Sequence, residues 1–583
     1  MTAPDQSFSD PGPARGWTLA ALLIFLVGIA SFQYPTWSAG FTSHVGFPQA
    51  PGATTRNVFI ANDQLFVVGL TGRNARTLLT KPLDFYEAEH CFPGTQTLAY
   101  GEPMVVLSLA AVPAYALTQS LAAAYNFGVL LLILLSAMAM YWLVRDWTGI
   151  PAAGIVAGLL YGFESNRIED LVHLYIYDGT WTVLALFFAR KWFADGRWRD
   201  ALGLAVVTAL QFGAAFYPVL AAVCISLPFT IWLAIHYGFS KIRWTQVVVI
   251  AGVAGLAAAA VYGPYIALAG SSGMPERTFQ LFAQLFHYSP GEYLFPGWFC
   301  LALASIGLFL GGRAGLPVGA RISLVAGALT VIWLAAGPHI TILGLPNLYE
   351  SLGFLPGLQS IRVPGKIAPA VNLGVCILAG GGAAVLLRQL RGWTFALASG
   401  ALIIGSGAVV LGPPVFGLEP PANYEPRRVE ATPEEFEFFE TLEQMGNRGP
   451  LLELPLVAPG LVEMVQRGQR TYRAMFHGRR TSACVGSYHP PETRLLNQMS
   501  MDNFDTQLVE RISAMGFTTI LVHRPPRAPR RSPLLTQLRN ASKTRGSGIR
   551  LLHQNQSMTA FELVPVGDPS NVGRASKQVL DQP

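Results

Sequence analysis

Asp63, Glu102, Arg167, His173, Arg362 and Lys366 are the ionisable residues whose types and neighbours best suit chemistry. A carboxylate such as Asp63 or Glu102 can take a proton from an attacking hydroxyl or stabilise charge beside it. Arg362 and Lys366 flank Pro364 immediately before an apolar run, a placement suited to gripping a phosphate at the headgroup layer. Arg167 and His173 lie in residues 164–178, which also carry Glu164, Glu169, Asp170, Asp178, Tyr175 and Tyr177. Carboxylates at membrane level are costly and point to function. Walker A, GxSxG, HExxH and nucleotide-binding GxGxxG patterns do not occur in a fitting context, which leaves ATP-driven transport unsupported.

Plainer readings stand beside these. Loop carboxylates and basic residues flanking helices are usually solvated or snorkelling. Residues 164–178 read equally well as an interfacial amphipathic helix with a charged outer face. His173, His287 and His477 read as structural, since no metal-ligand spacing joins them. Cys91 and Cys484 fall in the two large polar regions; they would pair if both face an oxidising compartment, and stand as two thiols otherwise.

The elements that must position these groups are membrane helices. The 583-residue chain is 51% hydrophobic and 13% charged, well short of the ~25% charged residues of soluble domains, and its mean hydropathy is +0.39. Its net charge of +6 is modest and its basic residues fall in short clusters between apolar runs, a pattern of membrane topology and not of a nucleic-acid surface. Twelve apolar segments are legible, at residues 17–34, 103–122, 127–144, 150–163, 181–193, 201–217, 218–237, 247–268, 298–310, 322–336, 367–387 and 394–410.

Basic clusters at Arg190/Lys191/Arg197/Arg199, Lys241/Arg243, Arg313/Arg321 and Arg388/Arg391 set the orientation. With all four in the cytoplasm, the N-terminal tail (1–16) is inside and residues 17–414 form the membrane domain. The long first loop (36–102) and a small α/β domain (420–583) are then outside. The alternation closes only if 103–122 is re-entrant, which predicts roughly eleven crossings within a range of 11–13. In the tail, Thr432 with Glu435 has capping-box spacing, 451–456 and 518–523 read as strands, and 504–515 as a helix.

The chain resembles bacterial membrane proteins grouped with the GT-C-type glycosyltransferases, of the glycosyltransferase-39/Rgt-like kind. The resemblance is carried by Asn62-Asp63-Gln64-Leu65-Phe66 and by Phe92-Pro93 with Thr97-Leu98-Ala99-Tyr100-Gly101-Glu102. It continues through Ala124-Tyr125-Asn126-Phe127 and Tyr141-Trp142-Leu143-Val144-Arg145 with Thr148-Gly149, then Arg167, His173 and Trp181. Leu355-Pro356-Gly357 leads into Ile361-Arg362-Val363-Pro364-Gly365-Lys366, and the tail carries Leu452-Glu453-Leu454-Pro455 and Met475-Phe476-His477-Gly478. The chain departs from the pattern at Lys366, where arginine is expected, and so lacks the bidentate fork there.

The resemblance implies transfer of a sugar from a polyprenyl-phosphate-linked donor to a glycan, lipid or protein acceptor at the outer face of the bacterial inner membrane. It makes Asp63 the first choice of base or acceptor-positioning carboxylate and Glu102 the second. Arg362 with Lys366 would face the donor phosphate, and Arg167 and His173 would contact acceptor or phosphate. Asp84, Glu87 and Glu89, between the two ends of the long loop, read as solvated scaffold. No cofactor is demanded, although the carboxylates are of the kind that ligate Mg²⁺ or Mn²⁺. The competing classes are a transporter or flippase of a lipid-linked glycan and a non-catalytic assembly protein.

Overall fold

The computed structural model describes residues 14–564 apart from 50–53, 103, 165–166, 169–170, 240–241, 273–295, 338–343, 345–347, 354–357, 359–360, 362, 412–422, 457–460, 486–488, 500–503 and 525–532. Among the described residues the apolar segments read from the sequence fall mainly on helices, with breaks at 119–120 and at Ala215. α1 spans Ala14–Gly40, α2 Thr54–Thr80, α3 Val105–Thr118, α4 Leu121–Thr148 and α5 Pro151–Gly162, followed by Thr180–Asp195, Trp198–Ala214, Phe216–Tyr237, Trp244–Ser272, Trp298–Leu310, Val318–Ala335, Val371–Leu387 and Gly392–Leu411. Among the described residues seven helices are long and apolar enough to cross a membrane, and three shorter apolar helices accompany them. α3, with 14 residues, is about 21 Å long at 1.5 Å per residue, short of a ~30 Å hydrocarbon core.

α4 and the stretch Pro364–Leu387 form the centre of the bundle, whereas Trp244–Leu268 and Gly392–Leu411 lie at its periphery with few buried residues. The helix Trp298–Leu310 crosses Val371–Leu387 at two glycines. A Cβ on Gly307 would sit 1.8 Å from the Leu378 carbonyl oxygen, and one on Gly382 would sit 1.9 Å from that of Leu303. Small residues are what allow two membrane helices to pack backbone against backbone.

The ends of the bundle are chemically distinct. At one end Arg145 donates to Thr18 and Tyr141, Arg190 and Lys191 both pair with Asp146, and Arg388 donates to the Arg313 carbonyl. At the other end, β1 (His44–Gln49), which follows α1, pairs antiparallel with β2 (Asn423–Arg428), which follows the last membrane helix. Asn126 near the start of α4 ties this end together by donating to the Phe41 and His44 carbonyls.

The tail folds on this second end. β3 (Leu451–Leu454) and β4 (Thr519–His523) are parallel, and β6 (Met558–Leu563) is antiparallel to both β4 and β5 (Ile549–Gln554), giving the order β3-β4-β6-β5. The helix Pro433–Gln444 begins in a capping box of Thr432 and Glu435, and Thr506–Ala514 is a second helix. Leu452, Leu454, Val509, Ile512, Ile520, Val522 and Phe561 form the tail's own core.

Residues 36–102, expected as a long polar loop, contain instead β1 and the 27-residue helix α2. Two glycines that read as loop residues are its contact points. A Cβ on Gly72 would meet the Leu121 Cα at 2.8 Å, and one on Gly69 would meet the Met475 sulfur at 2.7 Å. The carboxylates after α2 are not uniformly solvated either. Glu89 accepts from Arg73 at 3.0 Å and Arg76 at 2.9 Å, while Arg73, buried, also donates to the Phe85 and Glu87 carbonyls. Glu87 pairs with Arg480 of the tail at 3.2 Å.

The loop after α2 is built into the tail sheet. Residues 480–483 bond to Leu451 on one side and to Glu89, Cys91 and Phe92 on the other. A disulfide between Cys91 and Cys484 closes this junction.

Candidate active site

α5 has 12 residues, so it rises only about 18 Å and stops short of the far side of the bundle. Among the described residues that follow, Arg167 and Ile168 are helical, Leu171–His173 is a 3₁₀ turn and 174–179 is turn and irregular backbone. Such backbone is tolerated at membrane depth where protein surrounds it or a cavity is lined by it. Here it is packed inside: Glu164, Arg167, Ile168, Leu171, Val172 and Asp178 are all buried. The alternative of an interfacial helix with a charged outer face is therefore excluded for the described part of this stretch; Glu169 and Asp170 lie outside the described residues.

Arg167 is the anchor of this segment, being 2% exposed. Its guanidinium lies 4.9 Å from the Tyr161 ring centre, and Nη2 donates to Ser136 Oγ at 2.6 Å. Its Nε and Nη1 are buried with no hydrogen-bond partner among the described residues. Asp178 balances it electrostatically while accepting from the backbone and hydroxyl of Thr180 and from Trp181 Nε1. Glu164 accepts from Asn372 Nδ2 at 3.0 Å, which bolts the segment to the central helix Val371–Leu387.

Lys366 rides on a 3₁₀ turn, Pro364–Ala370, that leads into that helix. Lys366, Arg167, Glu164, Tyr161, Tyr177 and Tyr217 line one narrow cleft of about 30 Å³. Glu102 belongs to the same neighbourhood: its Oε2 accepts the backbone N–H of Phe216 at 3.1 Å, and the Lys366 ammonium acts on it. Burial pushes the Glu102 carboxyl up to about 7, against the pull of the Phe216 N–H and of Lys366. The loop carrying Glu102 is pinned by Tyr265, whose hydroxyl donates to the Gly101 carbonyl at 2.7 Å.

Asp63 stands on α2, and its Oδ2 lies 3.6 Å from Nε2 of His173. The Asp63 side chain is 40% exposed, against 14% for His173, so the carboxylate is the accessible member of the pair. His173 closes the 3₁₀ turn Leu171–His173, whose Leu171 carbonyl accepts from Tyr125 of α4 at 3.2 Å. The chain from His173 to Tyr177 thus runs directly from the Asp63 pair to the cleft wall.

Of the residues singled out in the sequence, the structure brings Lys366 and Arg167 to one cleft, sets Glu102 beside it on the Phe216 N–H and joins Asp63 to His173. Arg362 lies outside the described residues, between the buried Ile361 and Val363. Glu164, Tyr161 and Asn372 are additional polar members of the cleft. Asn372 had a local signal, an amide in an otherwise apolar helix; the pairing of Glu164 with it, across more than two hundred residues, had none. Among the described residues no group of three or more His, Cys, Asp or Glu side chains is placed to hold a metal ion.

The short and long apolar helices around a buried polar cleft, with the helix-bearing first loop and the tail closing one end, form a fold shared with solved membrane glycosyltransferases. In particular, the chain is similar to the arabinofuranosyltransferase AftD from Mycobacteria, with a TM-score of 0.53 and 13% identity over 96% of this chain. A mutant form of the same protein gives 0.54 and 14%. The chain spans 40% of the length of the AftD chain. ArnT from Cupriavidus metallidurans, solved bound to undecaprenyl phosphate, aligns over 96% of this chain and 100% of its own with a TM-score of 0.47 and 11% identity. No family model matches the chain, and no curated protein matches it in sequence.

Proposed function

We propose that this protein is a membrane glycosyltransferase that moves a sugar from a polyprenyl-phosphate-linked donor to a hydroxyl of a glycan, lipid or protein acceptor. The observation that carries the proposal is the cleft itself: a buried arginine with two unbonded guanidinium nitrogens and a lysine line one narrow cleft inside a membrane bundle. Two cations at that depth suit the phosphate of a lipid-borne donor, whose prenyl chain would remain among membrane lipids.

In this reading the acceptor hydroxyl attacks the anomeric carbon, forming the new C–O bond as the bond to the phosphate oxygen breaks. The electron pair leaves with the polyprenyl phosphate, and Lys366 and Arg167 stabilise the charge gained there. The hydroxyl proton passes to Asp63, which is exposed enough to meet an acceptor and is backed by His173. Glu102 sets the charge state around Lys366. Arg362 is the further phosphate contact expected from the sequence. Mg²⁺ or Mn²⁺ would add charge at the phosphate, and chelation by EDTA tests whether either participates.

The site is proposed to face outward, in the bacterial cell envelope. The Cys91–Cys484 disulfide at the tail end favours an oxidising compartment, and the basic residues at the opposite end favour a cytoplasmic surface there.

The test is transfer in proteoliposomes supplied with radiolabelled polyprenyl-phospho-sugars and an envelope glycan extract. The expected result is release of polyprenyl phosphate together with label in the acceptor, reduced in Lys366→Ala. Movement of intact donor between leaflets without cleavage would overturn the proposal in favour of a flippase.

A further inference from the structure

The tail carries a second cavity, remote in sequence from every group used above. It measures about 440 Å³, within the ~300–1,000 Å³ range of ligand pockets. One face of the helix Pro433–Gln444 supplies Glu435, Phe436, Phe439, Glu440 and Glu443, and the last turn of the helix Leu461–His477 supplies Phe476. The spacing places these residues of the first helix on one stripe, while Phe438 and Leu442 turn into the tail's core.

Two features of this cavity point to one ligand chemistry. Its charges cancel: Glu435 pairs with Arg473 at 2.5 Å and Glu443 with Arg448 at 3.0 Å. Neither an anion nor a cation is favoured, and the paired groups still offer acceptors and donors to a neutral ligand. Its apolar part is aromatic. Phe436 meets Phe476 edge to face at 5.9 Å, Phe439 stacks on His477 at 4.1 Å, and Phe436 remains 52% exposed. A ligand with flat apolar faces and a rim of hydroxyls, carrying no net charge, suits the cancelled charges and the aromatic wall.

We infer that this cavity is a saccharide-binding site that takes a neutral oligosaccharide, stacking it on Phe436 and bonding its hydroxyls to Glu440 and the arginine side. Its use as a hold on the acceptor glycan rests on the proposed transferase reading, but binding itself does not. Phe436 is exposed and Glu440 lies on the solvent face, so their replacement leaves the core of the tail in place.

The experiment uses the full chain in nanodiscs, probed with short neutral gluco-, manno-, galacto- and arabino-oligosaccharides and with matching uronic-acid oligosaccharides. Saturable binding of at least one neutral probe is expected, weakened about tenfold in Phe436→Ala and retained in Phe436→Trp. Glu440→Gln weakens it as well. The inference is overturned if no neutral probe binds, if only the uronic acids bind, or if Phe436→Ala binds as the unaltered chain does. Because this readout involves no sugar transfer, a transferase-inactive chain that binds saccharide fails the functional proposal alone, and an active chain that does not bind fails this one alone.

Discussion

The Asp63 carboxylate lies 3.6 Å from Nε2 of His173, joining a helix that precedes the main bundle to an irregular segment inside it. This pairing places the accessible carboxylate at the start of a short stretch of chain whose other end, at Tyr177, is cleft wall.

Asp63→Asn keeps the shape of the side chain and removes its basicity. If Asp63 takes the acceptor proton, transfer falls by about 10²–10⁴-fold, while the melting temperature stays close to that of the unaltered protein. Full activity in that variant would remove Asp63 from the proposed chemistry. His173→Ala should cost less, since it only backs the carboxylate.

Glu102 makes stability depend on pH with a definite sign. Its carboxyl titrates near 4.5 in the unfolded chain and is pushed up to about 7 when folded. Between those values the folded chain holds a proton that the unfolded chain has released, so stability falls as pH rises through this window. Melting measured across it should show a decline that Glu102→Gln, neutral at every pH, flattens. An equal decline in both proteins would assign the effect elsewhere.

The crossing of Trp298–Leu310 on Val371–Leu387 leaves no room for a methyl group, since a Cβ on Gly382 would sit 1.9 Å from the Leu303 carbonyl oxygen. Gly382→Ala should therefore separate the two helices and cost at least the ~1–3 kcal/mol typical of overpacking, read as a lower melting temperature in detergent. Gly252→Ala, at a position with nothing within 4 Å, is the matched control and should be neutral.

Cys484→Ser tests whether the junction between the first loop and the tail is held covalently. The backbone bonds of Thr481 and Ala483 to Glu89, Phe92 and Cys91 remain possible, so the fold should persist, but the loop around residues 89–92 should exchange amide hydrogens faster. Exchange in α4 should not change. Loss of the whole protein on this substitution would show that the disulfide is needed for assembly as well as for the junction.

Arg167→Ala leaves Asp178 buried without the cation that balances it, and breaking such a partnership typically costs about 3–5 kcal/mol. Lys366→Ala, on a partly exposed turn, should spare stability while weakening donor use. Thermal melting and transfer kinetics on the two variants separate these outcomes, and a stable Arg167→Ala protein would contradict the role of Arg167 as the anchor of its segment.

Much of the architecture is local and was legible. The apolar runs specify their helices because the bilayer demands internal satisfaction of every backbone group, and the Thr432–Glu435 capping box marks a helix start through contacts only three residues apart. The residue types of the site were also legible, since charged side chains near the membrane carry a cost that draws the eye to Glu102, Arg167 and Lys366.

Tertiary structure decided what those residues do to one another. α2 has no strong apolar stripe or cap in its sequence, and its Gly69 and Gly72 weigh against a helix; packing against Tyr472, Met475 and Leu121 makes it one. Whether Cys91 meets Cys484, whether Glu164 meets Asn372, and which carboxylates are solvated depend on partners hundreds of residues away. By itself the sequence determined where helices form and which groups are costly to bury, because both follow from neighbours along the chain. Only the fold decided that Arg167 and Lys366 share a cleft and that Asp63 faces His173, because contacts across the bundle leave no periodic trace in the chain.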